Sequence, residues 1–177
     1  MWVKYLSERN GDRAGEASAL QRSGAGNMKR KGLIEVLARG VCVKDGRLLV
    51  CHTRGASNTY LPGGHVEFLE KARDALTREI EEEMGLAARI GRFLGGVEHT
   101  FVQKGERHSE MNLVFEMSID KLLASETPPS REGHIDFRWA PLSALACSDL
   151  EPYTLRGSLV EWLGEGDGAD RWASTLP

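Results

Sequence analysis

Gly64-His65-Val66-Glu67-Phe68-Leu69-Glu70-Lys71-Ala72-Arg73-Asp74-Ala75-Leu76-Thr77-Arg78-Glu79-Ile80-Glu81-Glu82-Glu83-Met84-Gly85-Leu86 reads as a tight turn running into a helix. Ala72, Leu76, Ile80 and Met84 recur every fourth residue, and Gly85 follows as a C-cap, so a helix is predicted over Leu69 to Met84. The segment holds seven acidic and three basic residues. With about 100° of rotation per residue, Glu79, Glu82 and Glu83 fall on one face within a single turn, beside the apolar stripe rather than opposite it. Like charges three or four residues apart each cost a helix about 0.2 to 0.5 kcal/mol, and more where water is excluded. A cation is therefore expected there. Oxygen ligands without nearby Cys and with few His select Mg²⁺ or Mn²⁺ over zinc. A run of glutamates alone reads more simply as a solvated face; the preceding Gly63-Gly64 turn and the spacing argue against that here.

Outward from this helix the pattern is mostly strand. Leu33 to Val43 is apolar and β-branched, Asp45-Gly46 is a strong hairpin signal, and Arg47 to Thr53 returns, which predicts a β-hairpin. Ala56 to Tyr60 is a polar loop, and Pro62-Gly63-Gly64 forces a turn that lets backbone approach a neighbour closely. Arg89 to Val102 and Met111 to Ile119 are expected strands around a polar excursion at Gln103 to Glu110. Ile135 to Trp139 is a further strand, and Pro141 to Ala146 and Tyr153 to Leu163 are expected helices. Strands with one early and one late helix make an α+β protein, an α/β/α sandwich. Residues 1–30, mixed in Gly, Ser, Ala and Arg without periodicity, are read as a poorly ordered leader, and residues 166–177 as a tail. Patterning begins near Met28, so residues 1–27 are expected to be dispensable.

The chain has 177 residues, 41% hydrophobic and 28% charged, which suits one soluble domain with one core and excludes wholesale disorder. Its net charge of −3 hides a basic first 32 residues and an acidic body, an arrangement that speaks against a nonspecific grip on nucleic-acid backbone. No run reaches the 18 or so apolar residues of a membrane span, and no secretory h-region is apparent, so a cytoplasmic protein is expected. Cys42, Cys51 and Cys147 form no CxxC pair and are read as buried small hydrophobes, with Cys42 and Cys51 on paired strands.

Gly64-x5-Glu70-x7-Arg78-Glu79-Ile80-x-Glu82-Glu83-x-Gly85-Leu86 resembles the signature of the Nudix hydrolases at every position. Seven of those positions demand one residue type, which puts a chance match on the order of 10⁻⁸ per start position. The resemblance implies the Nudix fold over residues 31–165, a mixed β-sheet flanked by the signature helix and a C-terminal helix. It also implies hydrolysis of a nucleoside diphosphate-linked substrate by attack of water on phosphorus. That chemistry calls for neutralised charge, an acidified water and alignment, all of which divalent cations supply. Carried over by position, Glu79, Glu82 and Glu83 resemble metal ligands, joined by the Gly64 carbonyl. Arg78 orients a neighbouring glutamate, and Glu70 either pins the loop to the helix or serves as an N-terminal charge on the helix dipole. Glu132, in Ser130-Arg131-Glu132-Gly133-His134, resembles the loop glutamate of the mutator-type nucleotide pyrophosphatases, which supplies a metal ligand or a general base, with Glu110 and Glu116 as competitors.

Around these lie weaker candidates. Arg54 is expected either to reach a phosphate or to be a plain surface arginine, and Tyr60 to stack on a base or to pack in the core. His65 is placed in the substrate-binding set, although for each of His65, His99, His108 and His134 an ordinary surface histidine is the plainer reading. Phe137 and Trp139 alternate on a strand, so at least one belongs to the core. Family marks for ADP-ribose or diadenosine polyphosphates are missing downstream, where Phe101 and Gln103 stand, leaving a nucleoside triphosphate or a nucleotide sugar open. A nucleotide-sensing Nudix-fold module without turnover is the first alternative function, and an acidic interaction domain the second. A homodimer paired through sheet edges is compatible with this layout.

Overall fold

A computed structural model describes residues 32–103, 105–164 and 170–177. The expected leader, residues 1–30, lies outside the described residues. Among the described residues eight strands form two sheets: β1 (Ile34–Val41), β2 (Val43–Lys44), β3 (Arg47–Thr53), β4 (Gly63–His65), β5 (Arg89–Gln103), β6 (Glu106–Ser118), β7 (Ile135–Pro141) and β8 (Trp172–Ser174). The helices among them are α1 (Ala72–Met84) and α2 (Leu155–Leu163), with a 3-10 turn at Leu142–Cys147. One sheet has the order β4-β1-β6-β5-β8 and the other β2-β3-β7. The larger is mixed: β1 runs parallel to β6 and β5 parallel to β8, while β4-β1 and β6-β5 are antiparallel.

The large sheet buries apolar side chains on both faces, giving two clusters where one core was expected. Ala38, Phe115 and Met117 meet Leu76, Ile80 and Met84 of α1. Val41, Val97 and Val114 meet Leu155, Leu159 and Trp162 of α2. Strand alternation accounts for the split, since odd and even residues of β1 and β6 face opposite helices. The layers match the predicted sandwich.

Five local expectations are corrected. Leu33 to Val43 does not form one long hairpin with β3. β1 instead pairs with β4 and β6, and only Val43 and Lys44 turn back against Arg47 and Leu48. Asp45 and Gly46 have φ of 49° and 71°, the two positive values a tight hairpin turn demands. Cys51 consequently sits opposite Phe137 rather than Cys42, although both thiols are buried, and Cys147 is exposed. The helix starts at Ala72 rather than Leu69, because Leu69 has a φ of 65°, which no right-handed helix accommodates. The presumed excursion at Gln103 to Glu110 is paired strand over most of its length, since β5 and β6 stay in register out to Gln103 and Glu106. Residues 172–174, expected in a tail, add strand β8 beside Gly96–Glu98.

Candidate active site

Gly63 and Gly64 are placed by backbone pairing: β4 lies against β1, with Gly64 opposite Ala38. Gly63 has a φ of 119°, and a Cβ there would strike the Ala38 carbonyl. At Gly64 a Cβ would come within 2.5 Å of the Glu79 carboxyl group. Any larger residue at this point would displace the carboxylate from the backbone it faces. The signature glycines thus let α1 approach the loop closely enough to bring a carboxylate to the Gly64 backbone.

Arg78 holds this arrangement together. Its Nε and Nη2 donate to the two oxygens of Glu70 at 2.9 and 3.0 Å, Nη1 donates to Glu79 at 2.8 Å, and Nη2 donates to the His65 carbonyl at 3.1 Å. Glu70 also accepts the Glu67 N–H at 2.9 Å. Glu70 therefore pins the loop to the helix, one of its two expected roles. Arg78 Nη1 lies 3.4 Å from Glu82, which is largely exposed.

Glu83 is the outlier. It is 7% exposed, and its Oε2 has no hydrogen-bond partner. Burial, reinforced by the charges of Glu79 and Glu132 and opposed by Arg39 and by a hydrogen bond from the Gly63 backbone, pushes its carboxyl up to about 8. Glu82 and Glu83 also occupy the last turn of α1, which contains no basic residue, so the partial negative charge of the helix end adds to the strain. A buried, unpaired carboxylate oxygen costs free energy unless something meets it.

The Ser130–His134 loop approaches the same helix end. The Arg131 N–H donates to the Glu83 carbonyl at 2.7 Å, and the Arg131 side chain lies over Gly85, whose left-handed backbone ends the helix. This brings Glu132 close enough for its charge to act on Glu83; Glu132 also pairs with His134 at 3.3 Å. Arg54 turns out to hold this loop. Its guanidinium is engaged by both oxygens of Asp136 at 3.0 and 2.9 Å, and its N–H donates to the His134 carbonyl at 2.9 Å. Of the competing glutamates, Glu116 pairs with Arg92 and lines a separate cavity of about 270 Å³, while Glu110 is buried on β6.

Tyr60 is half-buried against the α1-side core, its hydroxyl 3.2 Å from Thr53 Oγ1, and burial pushes its phenol up to about 12. His65 Nε2 lies 2.7 Å from Glu35, which also meets His108 at 3.3 Å. His99 is half-buried and 3.1 Å from Thr175 Oγ1. His134 is exposed. Phe137 is in the core, and Trp139 donates to the Leu123 carbonyl.

Arg39 escaped the sequence reading. It donates to the carbonyls of Gly63 (2.6 Å) and Leu61 (3.2 Å) and to Asn112 Oδ1 (3.2 Å), and its guanidinium lies over the Tyr60 ring. The available signal was its position as the single charge in the apolar run Leu37 to Val43.

Among the described residues no three carboxylate, imidazole or thiolate groups close into a ready-made metal cage; Arg78 stands between Glu79 and Glu82. The donor set nevertheless suits a hard divalent cation, because it is all oxygen, carries excess negative charge and includes the unpaired Glu83 Oε2 beside Glu79.

Among the described residues two helices pack on a mixed sheet, with the carboxylate-bearing helix behind a Gly-Gly loop. Residues 35–163 match the NUDIX domain, and the chain belongs to the Nudix family, a Nudix-type pyrophosphohydrolase. A search of curated proteins finds no match. The fold is similar to that of the MutT protein from Methanosarcina mazei Go1, at 21% identity and a TM-score of 0.57, covering 75% of this chain and 94% of that one. It is similar to the E. coli ORF135 protein, at 18% identity and 0.54, covering 78% and 96%. A UDP-X diphosphatase is similar at 17% identity and 0.54, covering 97% and 74%.

Proposed function

We propose that the protein hydrolyses a pyrophosphate bond in a nucleoside diphosphate-linked substrate, a nucleoside triphosphate or a nucleotide sugar, with Mg²⁺ or Mn²⁺ as cofactor. Glu79, Glu82, Glu83 and the Gly64 carbonyl would hold the metal. When bound, it neutralises phosphate charge and lowers the pKa of a water. Glu132 accepts the proton of the attacking water, held at the end of α1 by the Arg131 backbone and by the Arg54–Asp136 pair. Arg78 keeps Glu79 aimed at the loop; its guanidinium is raised by its two carboxylate partners and does not titrate. His65 and Tyr60 border the site on the substrate side. Arg54 acts through the loop it clamps, since Asp136 already occupies its guanidinium.

One observation carries this reading: the buried Glu83 oxygen without a partner beside a second buried carboxylate. An acidic surface for protein contacts would not sequester two carboxylates. The test is release of phosphate or pyrophosphate from a nucleotide panel with Mg²⁺ and with chelator. Turnover that requires the metal and is lost in Glu83→Gln supports the proposal; nucleotide binding without turnover would instead make the chain a sensing module. No helix among the described residues is long and apolar enough to cross a membrane, and we assign the activity to the cytoplasm, to be checked by fractionation.

A further inference from the structure

Among the described residues three carboxylates are buried: Glu79, Glu83 and Glu110. Glu79 is held by Arg78, and Glu83 belongs to the metal-facing cluster. Glu110 has neither explanation. It is 7% exposed and accepts one long hydrogen bond, 3.3 Å, from Asn112 Nδ2. No arginine or lysine pairs with it among the described contacts, and a carboxylate in such a position is costly unless hydrogen-bond donors reach it.

Its place in the sheet suggests what those donors are. Val97 and Val114 mark the part of this face that α2 covers. Beyond them the same face continues in polar residues: Asn112, then Glu110, with His99 opposite on β5 and Glu35 alongside on β1. His99, Phe101 and His108 stack in series on it, with centroids 5.3 and 4.9 Å apart. Glu35 is engaged by His65 and His108, while Glu110 faces His99 across the strand pair, close enough for its charge to act on that ring. The ledge is tied to the metal loop through two side chains, because Arg39 bridges Gly63 O and Asn112 Oδ1 while Asn112 bridges to Glu110. A substrate whose phosphates lie at Gly64 extends its other end over this ledge. That end cannot be a further phosphate, which the carboxylate would repel; it has to present hydrogen-bond donors, the N–H groups of a base or the hydroxyls of a sugar.

Resting on the nucleotide reading above, we propose that Glu110 is a specificity-determining residue that accepts hydrogen bonds from the nucleobase and selects a guanine-type edge. Guanine places an imino N–H and an amino group side by side, complementary to a carboxylate. Adenine and cytosine set a ring-nitrogen acceptor beside the amino group, and uracil flanks its single N–H with two carbonyls. Each of these turns an acceptor towards Glu110 and leaves a buried polar group unsatisfied.

The experiment compares kcat/KM for GTP, ATP, CTP and UTP in the wild type, Glu110→Gln and Glu110→Asp. In parallel, binding of the same four nucleotides to Glu83→Gln, with and without Glu110→Gln, is measured by calorimetry. The wild type is expected to favour GTP over UTP by at least about tenfold, the worth of one hydrogen bond to a charged acceptor. In Glu110→Gln that ratio collapses towards unity through KM, and Glu110→Asp, which keeps the charge, restores part of it. An unchanged ratio, or an equal fall in kcat for all four nucleotides, overturns the proposal. Turnover without base preference removes this inference and leaves the pyrophosphohydrolase reading intact. Selective GTP binding by Glu83→Gln, lost on adding Glu110→Gln, with no turnover of any nucleotide by the wild type, does the reverse.

Discussion

Replacing Glu83 by Gln should make the metal-free protein more stable, although the same change should abolish turnover. Burial pushes the Glu83 carboxyl from 4.5 up to about 8 in the folded chain. Between those two values the native state keeps a proton that the unfolded state has released. The native state therefore binds more protons than the unfolded one, and stability falls as pH rises through this window. At about 1.4 kcal/mol per unit, the raised carboxyl costs the fold about 3 kcal/mol at pH 7, where it holds a proton the unfolded chain has lost, and about 5 kcal/mol above pH 8, where it is ionised. Gln carries no titrating proton and retains its amide penalty at every pH. The informative quantity is thus the pH dependence of the difference between the two proteins. Urea denaturation in chelator should show the gap between Glu83→Gln and wild type widening by about 3 kcal/mol from pH 5 to pH 8. Adding Mg²⁺ at pH 8 should narrow it, because a cation that binds the native wild type restores the lost stability by mass action. A gap that stays constant across this range, or that widens further when Mg²⁺ is added, would refute the assignment of Glu83 as a strained carboxylate awaiting a cation.

Gly64→Ala puts a methyl group into the Glu79 carboxyl; Mn²⁺ affinity by electron paramagnetic resonance should fall at least about tenfold while the urea midpoint moves little. Arg78→Ala leaves Glu70 and Glu79 without their shared cation and should cost about 3 kcal/mol by denaturation and most of the turnover, with Arg78→Lys recovering only part because it cannot bridge both carboxylates. Arg54→Ala and Asp136→Ala should each lower kcat several-fold, with the double variant no worse than either single one. The urea midpoint should barely move, because the pair is exposed; additive kcat losses in the cycle would show that the two do not act through one loop.

Local chemistry made much of this molecule legible from the chain alone. The four-residue apolar period and Gly85 marked α1 to its last residue, because a helix end is written in neighbouring residues. Gly64, Arg78, Glu79 and Glu83 could be named because their spacing is set by one helix and the turn before it. The pairing of β1 was not legible in this way. Its partners β4 and β6 are distant in sequence, and the Asp45-Gly46 turn signals a hairpin without telling which residues belong to it.

The same division runs through the site. That glutamates gather on one helix face follows from rotation per residue, a property of the sequence. That Glu79 and Glu83 are buried while Glu82 is not follows only from what α1 packs against, as does the orphaned Glu83 oxygen. Arg54 changed from a candidate phosphate ligand to a clamp on Asp136, and Arg39 emerged as a bridge between the loop and the sheet, because both roles depend on partners more than twenty residues away. Periodicity along one element sets which side chains share a face; burial and pairing across elements set their charge state and partners, and these exist only once the chain has closed on itself.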